Sequence, residues 1–340
     1  MDLFLPQKKF PDAENDLIQI GDCITQHLHS TSNLTLWDGK TGIVLFLFLC
    51  SKYTGTGRFE EAAGDLLCEI TANIPDVHST GFYDGLTGIG WTIEYLAGNG
   101  FIDVDTDELL SELDDAIWRA RLHRDIIDAS YADLFGYGLY FLARLRSAKK
   151  GQNNTSTLLK KQALFFLTEE CEKILEYKSD QLVLHPNTTA SVAWFLLQVQ
   201  QLGIHPKKAA CALDHLFSSL DRSALIYTDR SDRFLLHQLV CNRQDTTNET
   251  QPVNTCFNAI AECCKAALHE LVFAPCYKNC TARLLEDVAC RPTDENGLHV
   301  YSHPSGEYNL SLNKGLAGMG LALLTATKSH IAQNHYHAFS

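Results

Sequence analysis

"YDGLTGIGWTIEYL", Tyr83 to Leu96, sets glycines 85, 88 and 90 directly against an apolar run. Glycine-rich turns ahead of helices often cradle phosphate, so the stretch reads either as a phosphate loop or as a structural unit. Recurrence separates the two. "WDGKTGIVLFLFL" starts at Trp37, "YADLFGYGLYFLARL" at Tyr131, "NTTASVAWFLLQV" at Asn187 and "NKGLAGMGLALL" at Asn313. Aligned, Gly42, Gly88, Gly136, Ser191 and Gly318 share one column, with spacings of 46, 48, 55 and 127 residues. The last gap has room for one or two degenerate copies. A phosphate loop occurs once, after a strand; this pattern occurs five times and follows no clear strand.

Between the copies lie amphipathic helical patterns. "GRFEEAAGDLLCEITANI" gathers Phe59, Ala63, Leu66, Leu67 and Ile70 on one face, and "TDELLSELDDAIWRARL" does so with Leu110, Leu113, Ile117 and Ala120, with Thr106 as the expected N-cap. The segments after the glycines are apolar nearly all round, the mark of a fully buried helix. The chain thus alternates buried and amphipathic helices in units of about 45–55 residues. Units stacked in a line leave one face of each helix layer exposed, whereas a ring buries its inner helices on every side. The pattern therefore predicts an all-α fold, an α/α toroid of GxxG-initiated hairpins, over an open helical solenoid. The glycines are expected where inner helices crowd at one mouth. Residues 1–33 read as an N-terminal lead-in packed on the same domain, and 34–340 as a single toroid domain.

The net charge of −13 over 340 residues disfavours nucleic acid and anionic membranes, which need a basic surface. The longest apolar run, Ile43 to Cys50, is eight residues, against roughly 20 for a bilayer span. "MDLFLPQKKFPD" lacks the order of a signal peptide, and the chain reads as cytoplasmic. Of twelve cysteines, Cys50, Cys68, Cys171 and Cys211 fall in helical patterns, where they are expected to act as small hydrophobes.

The repeated "G-x-x-G" starts, and "GLAGMGLALL" above all, resemble the lanthionine synthetase C-like family. The resemblance runs over roughly residues 34 to 327. It implies an α/α toroid and a substrate class of ribosomal peptides bearing cysteines and dehydrated Ser/Thr. The implied reaction adds a cysteine thiol across a dehydroamino acid to close a thioether ring. It also implies zinc, held through a Trp-Cys-x-Gly and a Cys-His-Gly motif. This sequence has neither: Trp37, Trp91, Trp118 and Trp194 precede Asp, Thr, Arg and Phe, and no cysteine precedes a histidine. An active cyclase is therefore expected to be degenerate or weak.

Site candidates follow from the remaining polar positions. Cys276 and Cys280, one helical turn apart, together with His299 and His303 in "HVYSHP", offer two thiolates and two imidazoles to a zinc ion. Their alternative reading is helix cysteines plus two loop histidines. Asp128 stands near the place of the family's aspartate before the third glycine motif, with Asp133 close by. His185, before the fourth motif, and His303 are the candidate bases, and Asp128, His185 and His303 form the expected catalytic set. Asp38 and Asp84 precede the paired glycines; helix N-capping is the simpler reading, and a ring of acids at the mouth the functional one. The loop Arg291–Leu310 is expected at the mouth. The partners expected are a precursor peptide or a peptide-modifying enzyme. Two other functions remain, a non-catalytic peptide- or partner-binding toroid and a carbohydrate-active toroid using paired carboxylates.

Overall fold

A computed structural model describes residues 13–122, 131–147, 155–177, 186–219, 267–268, 271, 309–313 and 315–327. The described residues are all-helical, with no strand: α1 (Ala13–Gln26), α2 (Lys40–Thr54), α3 (Gly57–Ala72), α4 (Leu86–Gly98), α5 (Thr106–Leu109), α6 (Ser111–Leu122), α7 (Tyr131–Ser147), α8 (Thr155–Tyr177), α9 (Pro186–Gln201), α10 (Pro206–Ser219) and α11 (Leu316–Thr327).

The two kinds of helix differ as their patterns require. α2 is buried on every side from Lys40 to Ser51, and α4 is buried from Leu86 to Glu94. α3 instead buries one stripe, Phe59, Ala63, Leu66 and Ile70. Each motif helix carries an amphipathic partner: α3 packs on α2, α6 on α4, α8 on α7, α10 on α9 and α1 on α11. α5 and α6 are separate helices broken at Leu110. The cap of α5 is Asp105, whose carboxylate accepts the N–H of Asp107 and Glu108; Thr106 is already helical. A charged oxygen one residue earlier displaces the hydroxyl expected there.

The motif starts share one backbone device. In α2, α4 and α11 the first helical N–H donates to the carbonyl seven residues back: Lys40 to Asn33 (2.8 Å), Leu86 to Ser79 (2.9 Å) and Leu316 to Asn309 (2.8 Å). The next donors follow, Thr41 to Leu34 (3.4 Å), Ala317 to Leu310 (3.2 Å) and Gly318 to Ser311 (3.2 Å). A turn thus folds back over the helix start and satisfies donors that a helix otherwise leaves free. The N-caps are Gly39 and Gly85, with no side-chain cap. Asp38 and Asp84, expected as caps, are exposed one residue earlier, because carbonyls have taken the donors.

The glycines follow from this wrapping. A β-carbon at Gly42 would fall on the Leu36 carbonyl oxygen, and one at Gly88 on that of Phe82. At Gly42 and Gly88 the closest approach is between a helix and its own turn, and the neighbouring copy's turn crowds the column as well, through Leu312 at Gly42 and Phe82 at Gly136, where the sequence suggested crowding between inner helices. Crowding by a neighbouring helix occurs two residues later in the motif. A β-carbon at Gly320 would meet the ring of Phe46, at Gly90 that of Tyr140 and at Gly138 that of Phe195. Each ring comes from the motif helix beside it, four residues past that helix's own column position. The row therefore runs α11, α2, α4, α7, α9, and the last described motif packs against the first. Backbone bonds across turns continue the same order: Asn313 N–H donates to Trp37 O, and Trp37 N–H to Tyr83 O, both at 2.9 Å.

Gly88→Ala should lower the urea midpoint by an amount equivalent to about 1–3 kcal/mol, because the obstructing atom is backbone and cannot rotate away. Gly64→Ala, in the open on α3, should leave it unchanged or raise it by up to about 1 kcal/mol.

Candidate functional site

The motif turns form a rim at one end of the motif helices. Trp37 and Tyr83, at equivalent positions, are half-buried and meet edge to face at 5.5 Å. Tyr83 meets Phe82 at 5.3 Å, and Phe82 meets Trp91 at 5.6 Å. Asn313 holds the corresponding place in the last described copy. Asp38 and Asp84 stand exposed beside the rings, so the rim alternates aromatic surface with carboxylate. Tyr137 and Thr80 hydroxyls share a buried hydrogen bond of 2.6 Å just behind it.

A cleft of about 440 Å³ opens between the first two turns and the end of α3. Asn33 and Thr35 line one wall, and Val77, His78 and Asp84 the other. Lys40, 7% exposed, lies at the start of α2 and bonds to Glu69, which also lines the cleft. With Asp76, the carboxylates Glu69 and Asp84 outnumber that single lysine, so the cleft suits a polar segment carrying positive charge or amide donors.

The first N–H groups of α2, α4 and α11 are not free for a ligand, because turn carbonyls accept them.

A second polar cluster sits deep between α4, α5, α6, α7 and α8. Arg144 on α7 is 1% exposed. Its Nη1 donates to Glu94 Oε1 (2.5 Å) and to Thr106 O (3.0 Å), and its Nη2 donates to Asp114 Oδ2 (2.6 Å). Tyr140 Oη donates to Asp114 Oδ1 (2.6 Å). Lys160 Nζ donates to Asp107 Oδ1 (2.5 Å), itself 3.3 Å from Arg144. Burial pushes the Tyr140 phenol well up, and the Asp114 charge adds to it. Burial works against the Arg144 cation, but Asp114, Tyr140 and Glu94 outweigh that and hold it protonated. For Asp107, burial raises the carboxyl while the Lys160 bond and the charges of Lys160 and Arg144 lower it further, leaving it below the usual range. Glu94 Oε2 is buried without a hydrogen-bond partner among the described residues. This arginine is buried among protein acceptors and ties the helices together. Its signal in the sequence is an acid inside the apolar run "GWTIEYL" and an arginine inside "YFLARL".

The residues singled out for catalysis and metal binding, Asp128, His185, Cys276, Cys280, His299 and His303, lie outside the described residues. Asp133 falls in the first turn of α7. Among the described residues no group of three or more His, Cys, Asp or Glu is arranged to hold a metal. No described helix is long and apolar enough to cross a membrane. The cysteines divide: Cys50 and Cys171 are buried as expected, whereas Cys68 and Cys211 are exposed, on the solvent side of amphipathic helices. Burial pushes the Cys50 thiol up to about 12.

The model of the family described as lanthionine synthetase C-like protein matches residues 30–160. That span runs from the first turn through α2, α4 and α7 into α8, and over it the chain has the character of that family, as the glycine repeats indicated. The α11 motif lies beyond the match yet repeats the first bonds of the α2 turn, Leu316 to Asn309 and Ala317 to Leu310. The search among curated proteins found no match to this chain.

Two mutational and chemical outcomes follow. Arg144→Leu should destabilise by about 3–5 kcal/mol, since it strands Glu94 and Asp114 in the interior, whereas Arg58→Ala, which breaks an exposed pair with Asp22, should cost about 0–1 kcal/mol by urea denaturation. Mass-mapped thiol labelling of native protein should modify Cys68 and Cys211 rapidly and reach Cys50 and Cys171 only on unfolding.

Proposed function

We propose that the protein is a lanthionine synthetase C-like α/α toroid that binds a cysteine-containing, dehydrated precursor peptide at its rim and cyclises it weakly or not at all. The observation that carries the reading is the family match over residues 30–160. The rim supports it: the rings of Trp37 and Tyr83 offer apolar surface to an extended chain, and the acidic cleft offers partners for its amides and positive groups. A concave, partly apolar site with a few polar groups is the usual setting for ligand binding. The adjacency of α11 to α2 supports closure into a ring.

Weak chemistry follows from the missing Trp-Cys-x-Gly and Cys-His-Gly motifs. In the reaction, the peptide thiol loses its proton to a base, sulfur bonds to the β-carbon of the dehydroamino acid, and the α-carbon takes up a proton. A free thiol with a pKa of about 8.5 is only a few per cent thiolate at neutral pH. His185 or His303 is the proposed base, with Asp128 nearby in the sequence of motif starts. A zinc ion, for which Cys276, Cys280, His299 and His303 are the proposed ligands, would lower the thiol pKa.

The test is to mix the protein with a dehydrated precursor peptide, measure binding by tryptophan fluorescence, and count peptide thiols by mass. Binding that weakens on Trp37→Ala, with slow thiol loss, is expected. Fast, regiospecific thiol loss by metal-free protein would overturn the weak-catalyst reading. No peptide binding together with hydrolysis of an oligosaccharide would transfer the protein to the carbohydrate class.

A further inference from the structure

The solvent face of α8 is apolar where an outer helix is ordinarily polar. Leu158, Leu159, Phe165 and Phe166 are 65, 60, 39 and 46% exposed. At 3.6 residues per turn these four share one arc with Thr155, Gln162 and Glu169. The opposite side of the helix, with Leu164, Leu167 and Cys171, is buried in the core. Both exposed rings are held in place. Phe165 stacks flat on His205, centroids 4.1 Å apart, and Phe166 meets Trp118 edge-on at 6.2 Å. His205 takes a φ of 48° to do so. The face is therefore a fixed surface spanning α6, α8 and the turn before α10, with Leu202 exposed in that turn.

We propose that this face joins two copies of the chain in a two-fold dimer, with α8 crossing its counterpart antiparallel about Gln162. The sequence spacing carries the argument. The four apolar residues lie four and three positions before Gln162 and three and four after it. A two-fold interface uses one patch twice and must be self-complementary. Antiparallel pairing on Gln162 sets Leu158 against the partner's Phe166 and Leu159 against the partner's Phe165, a small side chain opposite a large one each time. The same register brings Glu169, which lies 3.7 Å from His205 and from Lys208 of its own chain, to the start of the partner's α8. The first turn of α8 has no acid of its own, and negative charge is favourable at that end of a helix. The four side chains expose on the order of 400 Å² of apolar surface, at the scale that marks interaction sites. Two copies supply about 800 Å², a fitting dry centre for an interface of about 1,200–2,000 Å² in total. The dimer does not depend on the peptide role, and either can fail alone.

Sedimentation velocity of the full chain over a range of concentrations should show a monomer–dimer equilibrium. Leu159→Glu should weaken it roughly 10- to 100-fold at unchanged helical circular dichroism, since the carboxylate would be buried without a partner. Gln162→Cys, placed on the two-fold axis, should cross-link to a disulfide dimer under mild oxidation. It should do so faster than the parent chain, which carries exposed Cys68 and Cys211, and faster than Glu112→Cys on α6. A monomer at every concentration, a dimer indifferent to Leu159→Glu, or cross-linking at Gln162→Cys no faster than the controls would overturn the proposal.

Discussion

A turn lying directly on the helix it precedes is the contact from which the rest of the architecture follows. At the starts of α2, α4 and α11 the carbonyl seven residues back takes the first helical N–H, and the carbonyl six residues before the column glycine passes where a β-carbon would stand at Gly42 or Gly88. Because the donors are satisfied inside the protein, the helix can begin deep in the core without an unpaired polar group, which would cost about 1–3 kcal/mol for each donor left bare. That freedom is what lets α2 and α4 be apolar on every side. The same wrapping places Leu36, Phe82 and Leu312 against the column glycine of the neighbouring copy, Gly88, Gly136 and Gly42 in turn. One local device thus sets both the start of each helix and its neighbour.

The second constraint is electrostatic. Glu94 and Arg144 lie in motif helices that are otherwise apolar, and neither is tolerable there alone. Together with Asp114, Asp107 and Lys160 they tie α4, α5, α6, α7 and α8 at defined angles. An apolar core could hold these helices about as strongly, but the arginine fork accepts one arrangement only. The break between α5 and α6 belongs to this arrangement, since the Thr106 carbonyl turns inward to accept from Arg144.

These two constraints leave the rim as the place where function can be read. With the first N–H groups of α2, α4 and α11 consumed by turns, the rim presents the half-buried rings of Trp37 and Tyr83, two exposed aspartates and a cleft with an acidic excess.

The all-helical class, the alternation of buried and amphipathic helices and the family over residues 30–160 were legible in the sequence, because glycine recurrence and hydrophobic period are local signals repeated many times. Helix starts were legible only to within a residue. Asp38, Asp84 and Thr106 have the chemistry of caps, and only the path of the preceding turn decides whether a cap is needed. The purpose of the glycines was half legible: that something comes close was plain from the column, but whether it is the chain's own carbonyl or the Tyr140 ring is a matter of tertiary approach. Of the Arg144 cluster only Glu94 and Arg144 were legible, as charges inside apolar runs; that they meet was not, since its members lie up to 66 residues apart, from Glu94 to Lys160, and nothing in a one-dimensional pattern brings them together. Burial and partner choice are properties of the packed chain, and the tertiary structure alone assigned them.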